Sequence, residues 1–210
     1  TDSIQQVIYE NNGTIAQDFV ITLVAVTEEG CSSQQTSALT VYPLIDAGFI
    51  EPGVYCNPAT VQFNSTSVNA NSLQWNFGNG TVSSIPAPTS YFTNDSGDPV
   101  TFAVQLIATS TYGCVDSVRT TVSVNLPPVA AFTVNNAAQC INGNQFFFTN
   151  GSTSQNSPMT YRWEFGDGST STQINPAYQF TQHGINSVKL VASSQSGCKD
   201  SVMQNVTLHP

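Results

Sequence analysis

The chain has 210 residues, 40% of them hydrophobic, and its 13 acidic and 4 basic residues give a formal net charge of −9. This length predicts one large domain or two to three small ones, with enough apolar residues for buried cores. The scarcity of Lys and Arg argues against nucleic acid and anionic membranes as partners, and no apolar run approaches the roughly 20 residues that cross a bilayer.

The first predicted element is a β-hairpin near the N-terminus. Apolar residues alternate at Ile21, Leu23 and Ala25, and a second alternation follows the dipeptide Gly30-Cys31. Such alternation is typical of half-buried strands, and the glycine suits the turn between them. Because the same hairpin recurs at the end of two longer segments, residues 1–43 are interpreted as the C-terminal half of a domain.

The chain repeats with a period of about 84 residues. Cys31, Cys114 and Cys198 lie 83 and 84 positions apart, and each follows a glycine. Prolines come shortly after each closing hairpin, at Pro43, Pro127-Pro128 and Pro210. Proline cannot continue a strand ladder, so these positions predict segment boundaries. The predicted segments are the half domain 1–43 and the complete domains 44–126 and 127–210.

Each complete domain contains a tryptophan strand that runs into a glycine-rich turn. The residues of this strand that share one face, and are expected in the core, are Leu73, Trp75 and Phe77 in one domain and Tyr161, Trp163 and Phe165 in the other. The turns are Gly78-Asn79-Gly80 and Gly166-Asp167-Gly168, whose residues tolerate positive φ. No helical periodicity is found, so we predict an all-β fold of tandem β-sandwiches.

Four cysteines occupy matching positions in the two complete domains. Cys56 and Cys114 are 58 positions apart, and so are Cys140 and Cys198. The equal spacing predicts one disulfide inside each domain, Cys56–Cys114 and Cys140–Cys198, and hence an oxidising, extracellular compartment. Free buried thiols are the alternative. Cys31 has no partner in this scheme.

One combination of motifs in the last domain comprises the segments Trp163 to Gly168, Pro176 to Tyr178, Val188 to Val191 and Gly197 to Ser201, together with Gly184. Together they give a resemblance to the PKD (polycystic kidney disease) domain, an immunoglobulin-like β-sandwich. It covers 127–210 closely, 44–126 with departures and only the closing hairpin of 1–43. In the middle domain Asn79 replaces the turn aspartate, and the Pro-x-Tyr segment is degraded to Pro88-Thr89-Ser90-Tyr91.

The ending Gly-Cys-x-Asp-Ser, with a matching upstream cysteine, looks like the tandem PKD arrays of large Bacteroidota surface proteins, including gliding-motility adhesins. The resemblance implies a non-enzymatic extracellular module, a stiff disulfide-braced spacer whose partners are neighbouring domains and surface glycans or proteins. Accessory substrate-binding domains of a secreted polysaccharide or protein hydrolase are the alternative. A second alternative is a filament subunit in which strands of another chain complete residues 1–43.

The sequence contains no recognisable catalytic set. Its only histidines, His183 and His209, belong to no metal-ligand spacing or triad, and no carboxylate pair recurs between the repeats. We therefore expect no enzymatic activity and no cofactor. Calcium is the one ion left open, since Asp167 could bind it with Glu164 or with backbone carbonyls, although a turn aspartate usually accepts hydrogen bonds from nearby N–H groups. The better calcium candidates are the loop aspartates Asp46, Asp95 and Asp98.

Two kinds of surface site remain. Aromatic contacts for a ligand are expected at Tyr91, Phe92, Tyr112 and Tyr178, with scattered edge aromatics as the alternative. Ser3, Ser117 and Ser201 each follow aspartate and precede an aliphatic residue, the pattern that Bacteroidota use for O-glycosylation. The alternative for the serines is that Asp-Ser only begins the last strand of a domain.

Overall fold

A computed structural model describes residues 6–50, 53–155 and 158–210, and within them it contains 17 β-strands and no helix. The prediction of an all-β fold is confirmed. No helix of the described residues is long and apolar enough to cross a membrane. The chain forms two compact units: unit 1 comprises Thr1–Pro52, Gln62–Ser90 and Ala103–Thr121, and unit 2 comprises Gly53–Val61, Tyr91–Phe102 and Val122–Pro210. Segments of the middle repeat contribute to both units.

The N-terminal hairpin consists of β1 (Gln17–Val26) and β2 (Ser32–Val41), which pair antiparallel in a two-stranded sheet. Its apolar side chains are largely exposed, and Leu23 has 70% of its surface accessible. At the corresponding position of the two later hairpins Leu106 and Leu190 are completely buried. A two-stranded ladder alone leaves both faces to solvent, so the apolar pattern of this hairpin has no core within the described residues.

The middle repeat contributes seven strands: β3 (Val54–Cys56), β4 (Ala59–Gln62), β5 (Ser72–Asn76), β6 (Val82–Ser83), β7 (Thr89–Phe92), β8 (Val100–Thr109) and β9 (Val115–Asn125). They form a five-stranded sheet of order β3-β9-β8-β5-β6 and a two-stranded sheet of β4 and β7. The Gly113-Cys114 dipeptide lies in the turn between β8 and β9, as the alternation on either side of it predicts.

An aromatic cluster forms much of the core of unit 1. Trp75 is completely buried, and its ring centroid lies 5.0 Å from that of Phe49 and 5.6 Å from that of Phe63. Its indole Nε1 donates a 3.0 Å hydrogen bond to the carbonyl oxygen of Ile85. A buried indole N–H needs a partner, and each aromatic pair contributes about 0.5–1.5 kcal/mol beyond the burial of area.

The last repeat contributes eight strands: β10 (Phe132–Val134), β11 (Ala138–Cys140), β12 (Phe146–Asn150), β13 (Met159–Glu164), β14 (Thr170–Ser171), β15 (Ala177–Tyr178), β16 (Gly184–Ser194) and β17 (Lys199–His209). They form a three-stranded sheet of order β10-β12-β15 and a five-stranded sheet of order β11-β17-β16-β13-β14. β11 pairs parallel with β17, whereas β13, β16 and β17 pair antiparallel.

The core of the last repeat joins these two sheets. Phe148 comes from the smaller sheet, Trp163 and Leu190 come from the larger one, and all three are buried in one hydrophobic cluster. The indole Nε1 of Trp163 donates to the carbonyl oxygen of Gln173 at 2.9 Å, which repeats the bond made by Trp75. The repeat is an immunoglobulin-like β-sandwich.

Candidate functional site

The structure contains one disulfide among the described residues, and it joins Cys56 to Cys198, which are 142 positions apart. Both cysteines belong to unit 2. The predicted pairs Cys56–Cys114 and Cys140–Cys198 are therefore wrong, and Cys31, Cys114 and Cys140 are free thiols.

Strand geometry explains why the predicted pairs do not form. Cys140 stands opposite His209 at the end of β17, whereas Cys198 directly precedes the first residue of that strand. Eleven residues of strand span about 35 Å, but a disulfide requires Cα atoms about 4.4–6.8 Å apart. The same holds along β9, since Cys56 pairs with Asn125 at its end and Cys114 precedes its start. The Cα atoms of Cys56 and Cys198 are 5.5 Å apart.

Backbone hydrogen bonds hold the chain next to both cysteines of the disulfide. The Ser194 N–H donates to the carbonyl oxygen of Cys198 at 2.8 Å, and the Asn57 N–H donates to that of Asn125 at 2.8 Å. The Sγ atom of Cys198 lies 3.9 Å from this same Asn125 oxygen and is buried. The bonded sulfurs therefore lie where β3, β9 and the turn after β16 meet in unit 2.

A buried asparagine fixes the loop that follows β7. The Asn94 side-chain nitrogen donates to the carbonyl oxygens of Val124 and Asp98 at 2.8 and 2.7 Å, and its backbone N–H donates to Asn57 Oδ1 at 2.7 Å. The residue is 2% exposed, so these bonds satisfy an amide that would otherwise be costly to bury. Sequence analysis missed this residue because one asparagine in a polar loop gives no periodic signal.

The Gly-Asp-Gly turn of the last repeat is tied to β15. The Tyr178 hydroxyl donates to Asp167 Oδ2 at 2.6 Å, and the Ser169 N–H donates to Asp167 Oδ1 at 2.9 Å. The Tyr178 ring stacks on Phe165 with a centroid distance of 4.0 Å. Burial by itself would raise the pKa of Asp167, but the hydrogen bonds from Tyr178 and Ser169 outweigh it and lower the pKa below the usual value. Burial, and then the bond to Asp167, raise the pKa of Tyr178.

The middle repeat makes the same connection with smaller groups. Asn79 Nδ2 donates to Ser90 Oγ at 3.0 Å, so Ser90 takes the place that Tyr178 has in the last repeat. The backbone supports this equivalence, because Phe63 donates to the carbonyl of Pro88 as Phe148 does to that of Pro176. Sequence analysis aligned Tyr91 with Tyr178, whereas in the structure Ser90 occupies that position.

A repeated aspartate holds the start of each complete repeat against its closing hairpin. Asp116 Oδ2 accepts a 2.8 Å hydrogen bond from the Ala47 N–H, and Asp200 Oδ2 accepts one of 2.8 Å from the Ala130 N–H. The bond from Ala47, together with one from Ser117, lowers the pKa of Asp116. The aspartate of the Asp-Ser pattern thus has a structural role in both repeats, which strengthens the strand-start alternative for that pattern.

The candidate surface residues differ in their exposure to solvent. Ser117 and Ser201 are exposed, and Ser3 lies outside the described residues. Tyr91 and Tyr112 are 57% and 42% exposed, and Tyr178 is half-buried against the Asp167 turn. Phe92 is completely buried, so it cannot serve as a surface contact.

The candidate ion and catalytic residues are not brought together. His183 and His209 are exposed. In the ranges 6–50, 53–155 and 158–210 no three His, Cys, Asp or Glu side chains are grouped so as to hold a metal ion, and this includes Asp46, Asp95, Asp98 and Asp167.

Comparison with known proteins connects the last repeat to a family. Residues 125–208 match the model of the PKD domain. Over 91 residues, or 43% of this chain, the sequence is 31% identical to collagenase ColA of Bacillus cereus, and the match covers 9% of that protein's length.

Among solved structures, the PKD1 domain of the Vibrio cholerae metalloprotease PrtV is 28% identical, with 40% of this chain and 99% of that chain covered and a TM-score of 0.36. A structure of a 1.5-MDa bacterial ice-binding adhesin is 12% identical, with 79% and 65% covered and a TM-score of 0.38.

Proposed function

Residues 125–208 belong to the PKD domain family, and from this premise we propose that the chain is a non-enzymatic repeat module of an extracellular surface protein. It acts as a covalently braced spacer that holds other parts of the protein away from the surface. More specifically, we assign the module to a large Bacteroidota adhesin of the kind used in surface adhesion or gliding motility. Neighbouring domains of the same chain and surface glycans or proteins are its proposed partners.

The observation that carries this proposal is the bond between Cys56 and Cys198, which encloses 142 positions of chain in one covalent loop. When tension acts on the two ends of the chain, the disulfide carries the load once the strands outside the loop have separated. The residues inside the loop then cannot extend, whether or not their strands stay paired. A spacer needs this property, because its length must stay constant while the structures at its ends are pulled.

Single-molecule force spectroscopy tests the proposal on the whole chain, held by its two ends. Under oxidising conditions we expect only the residues outside the loop to extend. A reductant should lengthen the final extension by the length of the enclosed segment, about 480 Å at roughly 3.4 Å per residue. The Cys56→Ser variant is the matched control, since it reaches the longer extension without reductant. Equal final extension of the unsubstituted chain under both conditions overturns the proposal.

A role as accessory binding domains of a secreted hydrolase is the second candidate. The local identity of 31% to a collagenase favours it, and the two exposed rings Tyr91 and Tyr112 are its candidate contacts. This role predicts saturable binding of the chain to collagen, weakened at least tenfold by Tyr91→Ala or Tyr112→Ala. Absence of binding to collagen, chitin and cellulose removes this candidate and leaves the spacer.

A filament subunit is the third candidate, favoured by the exposed apolar side chains of the β1–β2 hairpin. If strands of another copy cover this ladder, light scattering on the full chain will detect dimers or longer species whose fraction rises with protein concentration. A monomer at every concentration removes this candidate.

A further inference from the structure

The cysteines of the two complete repeats occupy two kinds of position. Cys56 and Cys140 each end a short strand that runs parallel to the last strand of the repeat, opposite Asn125 and His209. Cys114 and Cys198 each follow a positive-φ glycine in the turn of the closing hairpin. We refer to these as the strand cysteine and the turn cysteine of a repeat.

The disulfide that forms joins a strand cysteine to the turn cysteine of the repeat that follows in the chain. Its sequence separation of 142 equals the 58-residue spacing within a repeat plus one 84-residue period. Bonding within a repeat is excluded by the length of the last strand, which separates the two positions by about 35 Å. The pairing is therefore a property of successive repeats.

We propose that this pairing is the rule for the array, so that Cys140 and Cys114 are halves of two further disulfides between repeats. Cys140 bonds to the turn cysteine of a PKD-like repeat joined after residue 210, and Cys114 bonds to the strand cysteine of a repeat preceding the middle one. By the same rule Cys31, the turn cysteine of the N-terminal hairpin, bonds to the strand cysteine of the repeat before its own. The inference deepens the proposed spacer function, because a disulfide would then brace every pair of successive repeats.

The surroundings of the unbonded cysteines fit this assignment. Cys140 is an exposed free thiol, as a strand cysteine must be to meet a turn from another repeat. Cys114 packs beside the small apolar cluster of Ile45, Ala47 and Ala108. The equivalent turn cysteine of the last repeat, Cys198, is bonded and fully buried.

The bond forms by oxidation of two thiols. The two Sγ–H bonds break, the sulfurs join, and two protons and two electrons pass to a disulfide oxidant. With oxidised glutathione as that oxidant, its S–S bond breaks and two molecules of reduced glutathione are released.

The test extends the chain by one repeat. A second copy of residues 127–210 is joined directly after Pro210, which keeps the period, and carries Gln195→Asn at an exposed turn position so that its turn-cysteine peptide has a distinct mass. After refolding with oxidised glutathione, the protein is cleaved with trypsin and Asp-N, which together separate Cys31, Cys56 and Cys114, and the peptides are mapped without reduction. We expect the peptide of the first Cys140 linked to the mass-shifted peptide, alongside the Cys56–Cys198 link.

Two outcomes separate this inference from the spacer function on which it rests. If Cys56 bonds to Cys198 while the first Cys140 is alkylated or bonded within its own repeat, the pairing rule is overturned and the spacer proposal stands. If Cys56 and Cys198 are not bonded to each other, both fail. A Cys140→Ser variant of the first copy must lose only the new link, and its unchanged Cys56–Cys198 peptide shows that it has folded.

Discussion

The hydroxyl of Tyr178 donates a 2.6 Å hydrogen bond to the carboxylate of Asp167, eleven positions earlier in the chain. This bond connects the turn after β13 to β15 and favours the ionised carboxylate. It lowers the pKa of Asp167 against the opposing effect of burial, and it contributes, after burial, to the raised pKa of Tyr178. The stability of the last repeat therefore depends on the charge of one turn residue.

The first prediction concerns acid pH. Because the pKa of Asp167 is lower in the folded chain than its ordinary value of 3.8, the folded state binds fewer protons there. Its contribution is complete above pH 3.8 and is lost as the pH falls through the folded-state pKa. At pH 7 Asp167→Asn should lower the free energy of unfolding by about 1 kcal/mol or less, since the turn is solvent-exposed.

Urea unfolding of the chain and of Asp167→Asn at pH 7 and pH 3 checks this prediction. The difference between the two proteins should shrink at pH 3. In the variant Tyr178→Phe the unfolding free energy should also depend less on pH, because the substitution removes the hydroxyl that donates to Asp167. A difference that stays constant over this range contradicts the assignment.

The second prediction concerns two glycines of the same turn. Gly166 and Gly168 both have positive φ, but a Cβ on Gly166 would lie 2.7 Å from the backbone oxygen of Ser187, whereas one on Gly168 would meet nothing within 4 Å. Gly168→Ala should cost about 1–2 kcal/mol of unfolding free energy from backbone strain alone. Gly166→Ala should cost roughly 1–3 kcal/mol more, because β16 must move. Equal losses in chemical denaturation would refute the close approach to Ser187.

The third prediction is a thiol count. The bonded pair Cys56–Cys198 leaves Cys31, Cys114 and Cys140 as thiols in the isolated chain. Alkylation of the denatured, unreduced protein should label these three cysteines and spare the bonded pair. Labelling of Cys31 alone would show that Cys114 and Cys140 are also bonded and would contradict the assignment of three free thiols.

The fourth prediction concerns O-glycosylation of Ser117 and Ser201. Both serines are exposed, so a transferase that recognises the Asp-Ser-aliphatic pattern can reach them in the folded chain. Peptides of the native protein that contain Ser117 or Ser201 should be heavier than their unmodified masses, and the excess should disappear in a Ser117→Ala, Ser201→Ala double variant. Ser96→Ala is the matched control, since Ser96 follows Asp95 but precedes glycine. Unmodified masses for both peptides rule out glycosylation of these two serines.

Side-chain alternation predicted much of this fold. Trp75 and Trp163 are buried because residues two apart on a strand face the same side, and this depends only on local geometry. The closing hairpins followed from the same alternation around Gly-Cys. Register across strands was harder to predict: Tyr91 and Ser90 differ by one residue, and only the partner strand decides which of them faces the Asn79 turn.

Cysteine spacing could not give the disulfide pairing. In a repeated sequence two recurring positions can have equal spacing in each copy whether or not the two residues touch. Equal spacing of Cys56–Cys114 and Cys140–Cys198 is therefore a consequence of the period and contains no information on contact. The strand lengths that separate these positions by about 35 Å supply that information.

The loop closed by Cys56 and Cys198 also changes what proteolytic damage does. Arg162 lies between the two cysteines in sequence, within the paired strand β13, so a trypsin-like protease cuts inside the loop once this strand opens locally. A cut there produces two fragments that stay attached to each other through sulfur. In an oxidising environment a nicked copy remains in one piece, and the break becomes visible only on a reducing gel.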